Sequence, residues 1–321
     1  MMLMSFDETS KKITDGGTLH IAGTEALLKK LPKGNWVGGS TEYFMAKEGG
    51  KVSGEQLFVT EFPYGDFAIK SYCADTVENV AVDAYENGFS IVIVPFDSEV
   101  HKYYAEHAPE FKDIFMKNIA GWIAGLNLGA TGQTPIAVNG RTGEAHADKA
   151  AVLHIGVPQD KVVTIGVINI FAQDENSPII EFTEEGFSAT KCLIDGEEKN
   201  FANYLTDKGI DTKLPLVGDY SGNGVNISFK SVGSGMVNFY APVFCGIKYR
   251  IAKPVPNYEK EFNARLHDHS DANEVFACNC ILNFLYGELE GKKLENFAGP
   301  ITFGEIAYQL VNQTLVYVSV E

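Results

Sequence analysis

The stretch DTVENVAVDAYENGFSIVIV, Asp75 to Val94, carries two hydrophobic periods in succession. Val77, Val80, Ala81, Ala84 and Tyr85 recur at the spacing of one helical face. Asp75 and Glu78 read as a capping box at its start, and Gly88 suits the residue just past a helix end. From Phe89 to Val94 every residue but Ser90 is apolar, the pattern of a strand covered on both faces. A helix that feeds directly into a buried strand predicts a chain mixing both kinds of element.

Working outward, the same reading predicts helices at Thr24–Lys30, Glu99–Glu106, Lys199–Thr206 and Tyr258–Leu266. Strands are more numerous, at Gln56–Phe62, Ala151–Ile155, Val162–Ile170, Val225–Phe229, Met236–Tyr240, Gly246–Ile251, Ile301–Tyr308 and Thr314–Val320. The 32 glycines fit a chain with many turns. The most polar, turn-rich break is Gln173–Pro178, close to the midpoint.

The expected fold is therefore α+β: two related halves, each a mostly antiparallel or mixed sheet with flanking helices, divided as 1–182 and 183–321. Two short matches motivate the duplication. Gly38-Gly39-Ser40-Thr41 in the first half resembles Gly299-Pro300-Ile301-Thr302 in the second, and QLFVTEF (56–62) resembles TLVYVSV (314–320).

A formal charge of −16 argues against nonspecific nucleic-acid binding, which needs Lys and Arg to neutralise phosphates, and against an anionic membrane surface. The start, MMLMSFDETSKK, lacks the basic and apolar regions of a signal peptide. Ile91–Phe96 is far too short to span a membrane. Five scattered cysteines form no disulfide framework, and the cytoplasm is the expected compartment.

There is no P-loop, no H-E-x-x-H, no G-x-S-x-G elbow and no dinucleotide fingerprint. His267 and His269 precede Cys278 and Cys280, a zinc-competent set of side chains, but the spacing is not that of common zinc sites and no metal is expected. Cys278 with a nearby histidine would suit nucleophilic catalysis, yet nothing beside it in sequence lowers a thiol pKa. The glycine-rich loops, Asn35–Thr41, Gly125–Thr134 and Leu216–Asn226, offer backbone that a ligand can approach closely.

The C-terminal third carries a resemblance. Phe276-Ala277-Cys278, then Gly299-Pro300-Ile301-Thr302-Phe303-Gly304-Glu305-Ile306, then Asn312-Gln313-Thr314 resembles the end of the FIST C-terminal domain. Leu193–Gly196 and the Tyr204-Leu205 helix are similar to the opening of that domain. Trp36–Thr41, Ile119–Gly129, Asn139-Gly140 and Ala150–Gly156 resemble the FIST N-terminal domain in outline. The resemblance implies an intracellular sensory module that binds a small molecule such as an amino acid and passes the signal to a separate protein. Haem is implied for some relatives. The chain departs from the pattern at Ile281, where the family has an arginine, and it carries no output domain.

The expected function is small-ligand sensing rather than catalysis, with the site between the halves and no resident cofactor. Trp36, Gly39, Ser40, Thr41, Thr302, Gly304, Glu305 and Asn312 are the expected ligand-binding residues. Glu305 would accept from an ammonium group and the threonines would serve a carboxylate. Two alternatives are a cysteine- or metal-dependent enzyme centred on Cys278, and an assembly protein with no small ligand.

Overall fold

The computed structural model describes residues 1–220, 222–267 and 273–321. It is a mixed α/β protein in which strand outweighs helix, 42% of residues against 17%, so sheet pairing organises the chain. One sequence of elements recurs three times. The first unit runs β1 (Met2–Met4), α1 (Phe6–Thr14), β2 (Leu19–Gly23), α2 (Glu25–Leu28), β3 (Trp36–Ser40), β4 (Tyr43–Ala46), β5 (Gly49–Val52), β6 (Leu57–Glu61). The second runs β7 (Phe67–Tyr72), a 3-10 turn at Val77–Val80, β8 (Gly88–Pro95), α3 (Glu99–His107), β9 (Asn118–Ala124), β10 (Ala137–Asn139), β11 (Glu144–His146), β12 (Ala150–Gly156).

The third unit begins at β13 (Val163–Ile168) and is interrupted by an insertion. The insertion holds β14 (Ile180–Glu181), β15 (Gly186–Ala189), β16 (Lys191–Ile194), β17 (Glu197–Asn200), α4 (Phe201–Asp207), β18 (Leu216–Tyr220), β19 (Asn223–Ile227), β20 (Phe229–Gly233), β21 (Met236–Val243) and β22 (Tyr249–Ile251). The unit resumes with α5 (Tyr258–His267), β23 (Glu274–Cys280), α6 (Ile281–Tyr286), β24 (Gly299–Thr302), β25 (Glu305–Ala307), β26 (Gln309–Val311) and β27 (Leu315–Val320).

Strand pairing repeats with the elements. In each unit the strands either side of the second helix are parallel: β2 with β3, β8 with β9, β23 with β24. The last strand of the unit lies antiparallel to the first of that pair, and the opening strand covers its outer edge. The remaining edge is closed by a hairpin from another unit. Strand β3 takes β10–β11 from the second unit, β9 takes β25–β26 from the third, and β24 takes β4–β5 from the first. The exchange is cyclic.

Strands from both sides of the expected division at residue 182 pair in the sheets built on β8–β9 and on β23–β24, and the recurrence of elements is threefold. Both sequence matches nevertheless fall at equivalent places in the unit, β3 with β24 and β6 with β27.

The three sheets meet in a common core that includes Ala22, Val37 and Phe58 from the first unit, Ile93, Trp122 and Leu153 from the second, and Phe276, Cys278 and Val318 from the third. His20 sits at its centre. Its Nε2 accepts from Trp122 Nε1 at 2.8 Å, and its ring meets Phe276 edge-on at 5.1 Å. The insertion packs its own aromatic cluster, including Phe182, Phe201, Phe229, Phe239 and Tyr249, into a core shared with Val92, Val94, Val100 and Tyr104 of the second unit.

Strand β8 is buried along its whole length, as an uncharged Ile/Val run in the middle of a sheet requires. The expected helix before it is shorter than its periodicity implies. No capping box forms: the Thr76 hydroxyl bonds back to Cys73 instead, and Asp83 is held by Tyr72 and Lys70, each at 2.8 Å. Val77, Val80 and Ala81 stay buried, so the apolar spacing marks a packed face without specifying a full helix. The expected strand Ile301–Tyr308 is broken into β24 and β25 at Phe303-Gly304, where Gly304 takes φ +149°.

Candidate functional site

In open α/β sheets, ligands bind in the crevice beyond the carboxyl ends of parallel strands. Here three such ends come together. The Gly125 N–H donates to Ser40 O at 2.8 Å, and Thr41 Oγ1 donates to Ile301 O at 2.8 Å. Phe303 lies over Gly125 so closely that a Cβ there would stand 1.9 Å from its ring. The turns after β3, β9 and β24 are thereby tied into one floor, and a trough runs above it.

The trough holds several cavities. An open one of about 610 Å³ is lined by Thr24, Ser40, Thr41, Glu42, Gly125 and Gln133 among others. Three more adjoin Phe96. One of about 480 Å³ includes Ser98, Leu128 and Phe303, and one of about 310 Å³ includes His101, Lys102, Phe187, Lys230 and Tyr240. The most enclosed, about 200 Å³, is lined by Phe96, Leu128, Lys230, Tyr240, Cys280, Ile281, Leu282, Leu285, Phe303 and Asn312. The Phe96 ring is the hub, with His101 at 5.4 Å, Tyr240 and Phe303 at 6.2 Å, and Lys230 Nζ 5.2 Å above it.

Local structure explains this convergence. Ser98 caps α3 by accepting from His101 N at 3.2 Å, which sets His101 on the first turn immediately past β8. Asp97 between them adopts φ 61°, a left-handed conformation rare outside glycine. Strands β20 and β21 of the insertion bring Lys230 and Tyr240 over the same ring.

Two buried side chains present polar atoms that no protein group meets. Both ring nitrogens of His101 lack partners, and burial holds the imidazole neutral by pushing its pKa down to about 4. Asn312 is 2% exposed, and its Oδ1 accepts from Ser228 N at 3.0 Å. That backbone donor fixes the amide orientation, because Nδ2 in the same place would oppose another N–H. Asn312 lines the enclosed cavity, and its buried Nδ2 is left without a partner. An unmet buried donor costs about 1–3 kcal/mol.

The expected ligand-binding residues separate into groups. Ser40 and Thr41 line the open cavity, although the Ser40 hydroxyl accepts from Ile136 N and that of Thr41 is spent on Ile301 O. Asn312 lines the enclosed one. Trp36 lies at the opposite end of β3, its Nε1 donating to Pro32 O and its ring pressed on Gly140. Gly39 gives room to Ile93 and Trp122 in the core. Thr302, Gly304 and Glu305 lie beneath the floor.

Glu305 is fully buried, and its carboxyl meets Thr302 Oγ1 at 2.9 Å and Thr314 Oγ1 at 2.9 Å, with Thr314 N at 3.3 Å. Burial pushes its pKa up to about 8. Arg250 and Arg265, both possible counter-ions for it, are engaged elsewhere, with Ser177 O and Glu261.

Cys278 and Cys280 are buried thiols whose pKa values burial and the neighbouring Glu305 push up, which disfavours the reactive thiolate. His267 is exposed at the end of α5, and His269 lies outside the described residues. Among the described residues no group of His, Cys, Asp or Glu gathers as a metal set.

Sequence reasoning missed Phe96, His101, Lys230 and Tyr240. The only sequence signal for the first two is a buried strand ending in Phe96-Asp97-Ser98, with a helix cap at the serine. Nothing in sequence ties Lys230 and Tyr240 to them.

The chain belongs to a family of unknown function (DUF6976), which it matches over residues 4–321. No curated protein matches it. Among the described residues no helix is long and apolar enough to cross a membrane.

Proposed function

We propose that the protein binds a small molecule in the trough around Phe96 and acts as an intracellular sensor. The observation that carries the reading is the buried Asn312 amide, fixed by Ser228 and left with an unmet donor on a largely apolar cavity. Apolar walls with a few convergent polar groups are what small-ligand sites are made of. His101 and Lys230 in the adjoining cavity extend the set.

The resemblance to FIST modules supports the same class of function, with a separate protein receiving the signal. On this reading, what relates the two halves is the equivalence of the Gly38–Thr41 and Gly299–Thr302 turns, which both contribute to the floor. A thermal-shift screen of amino acids, short carboxylic acids, haem and divalent metals tests the proposal. A ligand selective for the folded state at about 100 times its Kd adds roughly 2.7 kcal/mol. The expected hit loses its effect when the trough is filled by Leu285→Trp. A hit unaffected by that change, or no hit, refutes the reading.

A further inference from the structure

We infer that the enclosed cavity at Asn312 takes a small carboxylate with a short apolar body and no ammonium group. The inference rests on the reading of the trough as a ligand site and names the ligand's chemistry. Asn312 Nδ2 offers donors only, since its carbonyl partner Oδ1 is occupied by Ser228. The complementary atom is therefore an acceptor oxygen.

Lys230 supplies the charge. It borders both this cavity and the one containing His101, its Nζ rests over Phe96 at 5.2 Å, and it has no ion pair among the described residues. A cation with no carboxylate partner, in a chain of net charge −16, marks a local preference for an anion. The residues lining the enclosed cavity include no Asp or Glu, so nothing there stabilises an ammonium. Glu305 cannot serve, because it is fully buried and engaged by Thr302 and Thr314. Asp97 lies on the neighbouring cavity, within 3.1 Å of Lys102.

The rest of the lining sets the body of the ligand. Phe96, Leu282, Leu285 and Phe303 make an apolar sleeve, closed at the side by Ile281. Selectivity thus divides between one amide, one lysine and an aliphatic–aromatic sleeve.

The test is titration calorimetry of the full chain with three probes sharing one body: 4-methylpentanoate, 4-methylpentanamide and 4-methylpentylamine. The acid is expected to bind about tenfold tighter than the amide, as a charge-assisted contact to one lysine provides, and the amine not at all. Lys230→Met is expected to bring the acid to the level of the amide. Leu285→Trp, at a residue 38% exposed and so tolerant of size, is expected to abolish both.

Equal or tighter binding of the amide or amine overturns the inference. So does acid binding that survives Leu285→Trp. If none of the three binds but another compound stabilises the protein through the trough, the carboxylate assignment fails and the ligand-site reading stands. If nothing in the wider screen binds either, both fail.

Discussion

Replacing Glu305 with Gln is expected to leave stability below about pH 4.5 almost unchanged and to make the protein progressively more stable than the native chain as pH rises to about 8. The Thr302 hydroxyl has one proton, and the Asn279 carbonyl is available to take it at 3.2 Å. A protonated Glu305 can then donate through Oε1 to Thr302 Oγ1 at 2.9 Å, while Oε2 accepts from Thr314 N and Oγ1. Glutamine reproduces that pattern, with Nε2 donating to Thr302 and its carbonyl accepting from Thr314.

Burial raises the folded pKa to about 8 from an ordinary value of 4.5, so the folded state holds a proton that the unfolded chain has released. The stability contributed by this group is full below pH 4.5, falls as pH rises, and is gone above about 8. At about 1.36 kcal/mol per unit the whole window is worth at most about 5 kcal/mol. Between pH 5.5 and 8 the variant should gain roughly 3 kcal/mol on the native chain. Urea denaturation of both proteins from pH 5.5 to 9 measures this, and the difference between them cancels every other titrating group. A variant destabilised by more than about 2 kcal/mol at pH 5.5, with no gain at pH 9, would show that Glu305 is folded as a carboxylate and refute the proton assignment.

Acid should act in the opposite sense through the histidines. His20, His101 and His154 are held neutral by burial, with pKa values pushed down to about 3, 4 and 4, so their contribution to stability is lost as pH falls below 6.5. Glu274 and Glu305, pushed up by burial to about 7 and 8, titrate in the opposite sense, so the urea midpoint should drop between pH 7 and 4.5 in the chain carrying Glu274→Gln and Glu305→Gln. An unchanged midpoint in that chain would mean that these rings are charged in the fold. Gly121→Ala should destabilise by about 3 kcal/mol or more, on the order of the worst overpacked cores, because its Cβ would stand 1.9 Å from the Val92 carbonyl oxygen of the paired strand. Gly125→Ala should cost about 1–3 kcal/mol and alter ligand binding, since the three atoms nearest its Cβ belong to the Phe303 ring and that ring walls the trough; thermal melts and the titrations above read both effects.

Several elements are legible in the amino-acid sequence. The Ile91–Val94 run, the helix from Glu99 and the β27 strand follow from hydrophobic periodicity, which acts over a few residues. The GGST and GPIT turns are recognisable as equivalent because each closes the second strand of a parallel pair. Their third counterpart, Trp122–Gly125, is not recognisable in the same way. It meets the same backbone requirement with different side chains, since Trp122 fills space that Gly39 leaves open.

The sequence by itself determined the alternation of short buried strands with helices and the acidic surface, and it left five cysteines without a framework. Only the tertiary structure decided that the repeat is threefold, because the hairpins that close each sheet come from another unit and strand partners are not written in local spacing. It also decided which polar residues are available. Glu305 and Asn312 look alike as buried polar residues in sequence. The carboxyl finds two threonines beneath the floor, whereas the amide, held on one side by Ser228, leaves its donor unmet. Whether a buried polar atom is satisfied depends on neighbours brought from distant parts of the chain, and folding alone supplies them.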